Sequence, residues 1–203
     1  MTHSESLHDQ PFDPWGDKLR EECGIFGVIG VRDAATITAL GLHALQHRGQ
    51  EAVGITSFDG HEFYSRRGLG HVAENFSKPE ALAELPGEMA AGHVRYSTTG
   101  GSGLRNVQPL FADLARGGFA IAHNGNISNA LHLKKDLVDK GAIFQSTSDT
   151  EVIIHLIATT RFPTLLERFI SVPSASCIIL SNFSSNANLA KPVTFILMNG
   201  MFG

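Results

Sequence analysis

The sequence predicts a layered α+β fold. Apolar strand segments occur partly as hairpins, helical segments come in pairs, and no strict strand–helix alternation, internal repeat or heptad seam is present. With 203 residues, the chain fits one large domain or two small ones. A domain of that size buries roughly 70% of its unfolded surface, so it needs no disulfide staples.

The elements follow in order. Gly24 to Val31 reads as a buried strand directly after Cys23. A helix follows, capped by Asp33, with Ile37, Leu40, Ala44 and Leu45 on its core face and Gly49 at its end. Val53–Phe58 and Glu62–Arg66 read as strands, and Asp59-Gly60 between them signals a type I′ hairpin turn. Ser77-Lys78-Pro79-Glu80 reads as a capping box that opens a short helix ending at Pro86-Gly87. Met89–Ser97 and Gly118–His123 are strands, separated by a polar loop from Gly100 to Val107. A helix spans about Asn129 to Lys140 and stops at Gly141. Ser148-Asp149-Thr150-Glu151 forms a second capping box, before a helix through Ile153, Leu156 and Ile157. A further short helix covers Pro163 to Ile170.

The character then changes. Ser171–Asn188 is rich in Ser and Asn, and Lys191 is the only charged residue from Ser171 to Gly203. Val193–Met198 has strand character. The expected division is a leader at 1–22, a core domain at 23–170 and a divergent tail at 171–203, disordered or aberrant.

Apolar residues make up 42%, charged residues 18%, and the net charge is −4. This soluble, mildly acidic composition argues against nucleic acid or an anionic membrane as a partner. No apolar run reaches the roughly 18 residues a membrane span needs. Two cysteines, Cys23 and Cys177, do not make a disulfide framework and point to a reducing, cytoplasmic setting. The first 22 residues lack the basic start and apolar stretch of a secretory signal, leaving a disordered tail or a propeptide.

Several segments carry chemistry. A lone cysteine before an apolar strand most often packs as an inert small hydrophobe. Cys23 differs, because Glu21 and Glu22 precede it, small Gly24 leaves its sulfur accessible, and the leader looks dispensable. Cutting the Glu22–Cys23 bond would give Cys23 a free α-amine of pKa roughly 8, next to a thiol of roughly 8.5. Nucleophile and base would then reside in one residue. In Gly92-His93-Val94-Arg95-Tyr96-Ser97-Thr98, Arg95 is either a surface charge or a fork for a carboxylate. Asn124-Gly125 is either a turn or an oxyanion hole made of a side-chain amide and a backbone N–H. Asp149 either complements a helix dipole or holds an ammonium group. Leu45-Gln46-His47-Arg48-Gly49-Gln50-Glu51 is a basic helix end with a Gly cap, and its density of polar groups suggests a lined pocket. The ten histidines include His43 and His47 at i,i+4 spacing, but no HExxH or CxxC pattern supports a metal site. The glycines between Gly92 and Gly125 match no nucleotide-binding loop.

Taken together, these segments resemble the glutaminase half of the amidophosphoribosyltransferase family, within the class II glutamine amidotransferases and the N-terminal nucleophile hydrolases. The resemblance rests on EECGIFGV at 21–28, LQHRGQEAVGI at 45–55, GHVRYSTTG at 92–100, NVQP at 106–109, AHNGNISN at 122–129 and STSDTEVI at 146–153, and runs from about Glu21 to Ile170. It implies a four-layer αββα sandwich and a leader removed before Cys23. It further implies that Cys23 attacks the side-chain amide of glutamine. Arg95 would bind the α-carboxylate, Asp149 the α-ammonium, and Asn124 with Gly125 the oxyanion. Thr98 and Arg48 would line the pocket. The family's whole enzymes are homo-oligomers that use Mg2+, and some carry a 4Fe-4S cluster, both outside the region matched here. No cofactor is therefore expected in this chain. Glucosamine-6-phosphate synthase and glutamate synthase are the neighbouring alternatives, with a non-catalytic fragment as the third.

Two departures accompany the resemblance. No acidic pair followed by a Gly-Thr loop, which would hold phosphoribosyl pyrophosphate, is found. The residues after Ile170 depart from the family pattern as a truncated or frameshifted end would. The sandwich is therefore expected to be incomplete at its C-terminus, with open sheet edges.

Overall fold

The computed structural model describes residues 23–96, 103–115, 117–125, 127, 129–164, 167–168, 177–182 and 193–199. The expected leader at 1–22 and most of the expected 163–170 helix lie outside them.

Among the described residues, the strands form two four-stranded sheets. In the first the order is β1 (Gly24–Ile29), β4 (Met89–Arg95), β2 (Ala52–Phe58), β3 (Phe63–Leu69), all neighbours antiparallel. In the second it is β5 (Leu110–Leu114), β6 (Gly117–Asn124), β8 (Val193–Asn199), β7 (Cys177–Asn182), with only β6 and β8 parallel.

Strand alternation sorts the side chains into three apolar layers. On β4, Ala90 and Val94 face the helix α1 (Ala34–Ala44), together with Val53 and Ile55 of β2. The alternate residues Met89 and Ala91 turn the other way and meet Ala120, Ala122, Phe195 and Leu197 of the second sheet. On the far side of that sheet, Phe119, Ile121 and Ile196 pack against Ile153 and Ile157 of α5 (Asp149–Thr159). The helix α4 (Ala130–Asp139) packs on α5. Helix, sheet, sheet, helix is therefore the order of layers.

Several local expectations need correction. The core face of α1 is Ala35, Ala39 and Leu42 with Ala34 and Thr38, whereas Leu40 is exposed. The reason is closeness: a Cβ on Gly41 would sit 2.4 Å from the Phe26 ring, so small residues define this face. Asp33 adopts φ 58° and its side chain caps nothing. The β2–β3 connection is a four-residue loop, 59–62, in which Asp59 Oδ1 accepts the N–H groups of His61 (2.8 Å) and Glu62 (2.9 Å). The first capping box does not form, because Ser77 closes an unanticipated helix, α2 (Val72–Phe76), and α3 (Pro79–Ala83) starts on its own proline. At the second box Ser148 Oγ accepts from Thr150 N–H at 3.2 Å, but Glu151 turns back to the backbone N–H groups of Gln145 and Ser146.

The expected divergent tail supplies β7 and β8, which join β6 on the side away from β5. Phe195, Ile196 and Leu197 of β8 are buried. Strand β5 was also not anticipated.

Candidate active site

Cys23 sits immediately before β1, and two chain segments hold it. Its backbone N–H donates to the Arg48 carbonyl at 3.0 Å. Arg48 Nε in turn donates to the Cys23 carbonyl at 2.8 Å. The Gln46–Arg48 3₁₀ turn that follows α1 therefore fixes both backbone groups of the cysteine. The sulfur lies against the end of β4, with Tyr96 N–H 3.5 Å and Tyr96 O 3.6 Å from Sγ. Antiparallel pairing dictates this, since Gly24 is opposite Val94 and the chain before β1 must run past Arg95 and Tyr96. Gly49 permits the approach, because a Cβ there would meet the Val94 and Arg95 backbone within 2.7 Å.

Arg95 is the last residue of β4 and is 9% exposed. Among the described residues, no carboxylate lies within ion-pair distance of its guanidinium. A guanidinium at a strand end without a carboxylate partner presents a planar fork of donors suited to an anion.

The second sheet brings Asn124, Gly125 and Asp149 to one end. Asn124 closes β6, and exposed Gly125 follows it. Asp149 opens α5, and its Oδ2 accepts Ile127 N–H at 3.0 Å. Its Oδ1 lies 3.8 Å from Nδ1 of His123, whose side chain is fully buried. Burial pushes the Asp149 carboxyl up. The hydrogen bond and charge of His123, with the N–H groups of Ile127 and Thr150, outweigh that and hold it below the usual carboxylate range.

His93 joins the two groups. It is fully buried two residues before Arg95, and its ring lies near the backbone of His123 without a well-aligned hydrogen bond. Burial, then the charges of His123 and Arg95, lower its pKa to about 3. The ends of β4 and β6 therefore meet. The structure thus gathers Cys23, Arg48 and Arg95 at one end of the first sheet and Asn124, Gly125 and Asp149 at one end of the second. Thr98 lies outside the described residues.

Sequence reasoning assigned no role to Tyr96, His93, His123, Asn106 or Gln108. The last two stand in the NVQP segment, and their burial among apolar neighbours is the signal that singles them out. Among the described residues, no group of three or more His, Cys, Asp or Glu is arranged to hold a metal ion, and no helix is long and apolar enough to cross a membrane.

Residues 93–171 match the glutamine amidotransferase domain family. An amidophosphoribosyltransferase from Lacticaseibacillus casei is 53% identical over 147 residues, covering 72% of this chain and 75% of that protein. The chain belongs to the amidophosphoribosyltransferase family. The enzyme of that name from Rhizobium etli is 59% identical over 171 residues, which is 84% of this chain but 34% of the relative. Among solved structures, the Bacillus subtilis glutamine phosphoribosylpyrophosphate amidotransferase, complexed with ADP and GMP, superposes with a TM-score of 0.66 at 45% identity, covering 71% of this chain and 31% of that one. The chain thus spans about a third of the length of these two relatives. The likeness extends to the helix and sheet arrangement, so this amidophosphoribosyltransferase-family chain has the N-terminal nucleophile hydrolase fold.

Proposed function

We propose that this chain is the glutamine-hydrolysing part of an amidophosphoribosyltransferase. It would supply ammonia for 5-phosphoribosylamine synthesis from phosphoribosyl pyrophosphate, in the first step of de novo purine biosynthesis. One observation carries the reading. Tyr96, whose backbone groups touch Cys23 Sγ, directly follows Arg95, a buried guanidinium with no carboxylate partner among the described residues. Nucleophile and carboxylate anchor are thus adjacent on one strand end.

The chemistry follows from the residues. Removal of residues 1–22 frees the Cys23 amine, which takes the thiol proton. Cys23 has φ 131°, a region that costs a non-glycine residue about 1–3 kcal/mol. That angle is defined by the bond to residue 22, so cutting the bond removes the constraint. The thiolate adds to the glutamine side-chain carbonyl. The Asn124 side-chain amide and the Gly125 N–H receive the oxyanion. The α-ammonium of Cys23 returns the proton to the leaving nitrogen, ammonia departs, and a thioester remains on Sγ. Water, deprotonated by the same amine, hydrolyses the thioester to glutamate and regenerates the thiol. Arg95 holds the substrate α-carboxylate and Asp149 its α-ammonium, while Arg48 fixes Cys23. No metal takes part in these steps. The reading places the protein in the cytoplasm as part of a homo-oligomer.

The test is labelling with a diazoketone analogue of glutamine, followed by intact and peptide masses. The expected result is loss of residues 1–22 and one adduct on Cys23, with neither event in Cys23→Ala. Arg95→Ala should raise the Michaelis constant for glutamine about 10- to 100-fold, the worth of a charge-assisted pair. An unprocessed and unlabelled parent chain would overturn the reading.

A further inference from the structure

Two buried side-chain amides bond the residues that precede the proposed site and are used by none of its chemistry. Gln108 is 6% exposed and Asn106 2%. Gln108 Oε1 accepts the backbone N–H of His123 at 2.6 Å, and Gln108 Nε2 donates to the His123 carbonyl at 3.2 Å. Asn106 does the same to Thr147: its Oδ1 accepts Thr147 N–H at 2.9 Å, and its Nδ2 donates to Thr147 Oγ1 at 2.8 Å.

The strand register explains the first of these. Leu110 of β5 is opposite Ile121 of β6. Continuing that pairing by two residues sets Gln108 opposite His123. The backbone ladder ends at Leu110, and the side-chain amide takes the place of a strand partner for His123. A primary amide carries the donor and acceptor of a peptide group, so it satisfies both groups of a strand residue.

The location matters more than the pairing. His123 immediately precedes Asn124 and Gly125, and Thr147 stands two residues before Asp149. One three-residue stretch, Asn106–Gln108, therefore clasps both segments that carry donors and charge from the second sheet. Gly54 lets it lie against the first sheet as well, since a Cβ there would sit 2.2 Å from the Gln108 carbonyl oxygen.

We propose that Asn106 and Gln108 are positioning residues: Gln108 sets the Asn124–Gly125 donor pair for the transition state, and Asn106 sets the Asp149 carboxylate for the substrate ammonium. The proposal rests on the glutaminase reading above. It separates the two effects. Losing the Gln108 amide should lower turnover with little change in the Michaelis constant, because oxyanion contacts form only in the transition state. Losing the Asn106 amide should raise the Michaelis constant more than it lowers turnover.

The experiment compares the full chain with Gln108→Met, Gln108→Glu and Asn106→Leu. Cys23 is alkylated in parallel by the glutamine diazoketone and by iodoacetamide, which needs neither hole nor anchor. Their rate ratio is read by peptide mass, so Cys177 is counted separately. Backbone amide hydrogen exchange at residues 123–125 and 147–149 is measured on the same proteins. Gln108→Met should lower the ratio about tenfold and raise exchange at 123–125. Asn106→Leu should lower the apparent affinity for the diazoketone and raise exchange at 147–149. Gln108→Glu should recover the parental ratio as pH falls, because a protonated carboxyl again offers one donor and one acceptor. That rescue ties the lost selectivity to the amide pair on His123, and an iodoacetamide rate that stays constant throughout separates it from a general loss of structure. An unchanged ratio in both Gln108→Met and Asn106→Leu, or unchanged exchange at both segments, overturns the proposal. A parent chain with no selectivity for the diazoketone instead overturns the glutaminase reading, and exchange at 123–125 and 147–149 still decides whether the clasp exists.

Discussion

His93 is a buried imidazole held in its neutral form. Its pKa falls from an ordinary 6.5 to about 3, first through burial and then through the charges of His123 and Arg95. The unfolded chain therefore binds a proton that the folded chain rejects whenever pH lies between those values. Stability from this group is complete above about pH 6.5 and is lost as pH falls toward 3, at up to about 1.4 kcal/mol per unit. Between pH 7 and pH 5 the loss amounts to about 2 kcal/mol. The depressed Asp149 carboxyl gives stability that is complete above the ordinary carboxylate value of 3.8 and is lost as pH falls below it, so it adds nothing to the difference between pH 7 and pH 5. Urea denaturation at pH 7 and pH 5 tests this. His93→Asn should flatten the pH dependence by about 2 kcal/mol relative to the parent. Equal slopes for parent and variant would show that His93 takes up its proton in the folded state. The sequence displayed His93 within GHVRYSTTG, yet nothing local reveals that the opposite face of β4 presses it against β6. Burial by a partner sheet is a long-range fact. By contrast, the placement of Cys23, Arg95 and Asp149 at element ends is legible in the sequence, because each sits beside a local break such as a strand end or a helix start.

At the scale of elements, the link between β2 and the Asn106–Gln108 segment is a glycine. Gly54 lies in the middle of β2 with both sheet neighbours formed, and the Gln108 carbonyl fills the space where its side chain would be. Nothing in its φ requires glycine; the close approach does. Gly54→Ala should therefore push the clasp away from the first sheet, at a cost of about 1–3 kcal/mol by analogy with an overpacked core. Thermal unfolding measures the cost, and the diazoketone-to-iodoacetamide ratio on Cys23 should fall with it. A destabilised protein with an unaltered ratio would show that the clasp moves as a unit without disturbing the site. The same elements show where sequence reading succeeds. Strands β2, β4 and β6 and helices α4 and α5 stood out by periodicity and termini. The type I′ turn failed because Asp59 bonds its own loop, lengthening it to four residues. The core face of α1 was misplaced because closeness selected alanines over the larger Ile37 and Leu40. Strand β5 escaped because its alternation is short and its Phe111 is exposed.

For the whole molecule, the decisive question is what completes the second sheet. Residues after 170 carry a single charged side chain, Lys191, and read as foreign to the family pattern, yet β8 lies parallel to β6 in register from Phe119↔Thr194 to Asn124↔Asn199. That pairing brings Phe195 and Leu197 into the layer between the sheets and Ile196 into the layer beneath α5. Phe195 is 1% exposed, and its ring stands edge-on to Phe63 of β3 at 5.7 Å between centroids. One strand thus touches two of the three apolar layers and joins the outer hairpin of the first sheet to the centre of the second. If β8 is part of the cooperative core, Phe195→Ala removes a buried aromatic with its edge-to-face contact and should cost about 3–5 kcal/mol. Thr194, the half-buried neighbour on the same strand, provides the comparison, and Thr194→Ser should cost under about 0.5 kcal/mol. Urea denaturation followed by tryptophan-independent circular dichroism measures both. The slope with denaturant should remain near that of the parent, since the same surface is exposed on unfolding. A cost for Phe195→Ala no larger than that of Thr194→Ser would mean that the sandwich is held by residues 23–164 alone and that β8 docks without adding to it. A full cost would make the charge-poor segment the strand that closes β6 against edge pairing, and would tie the position of Asn124, paired with Asn199 at its end, to the integrity of the tail.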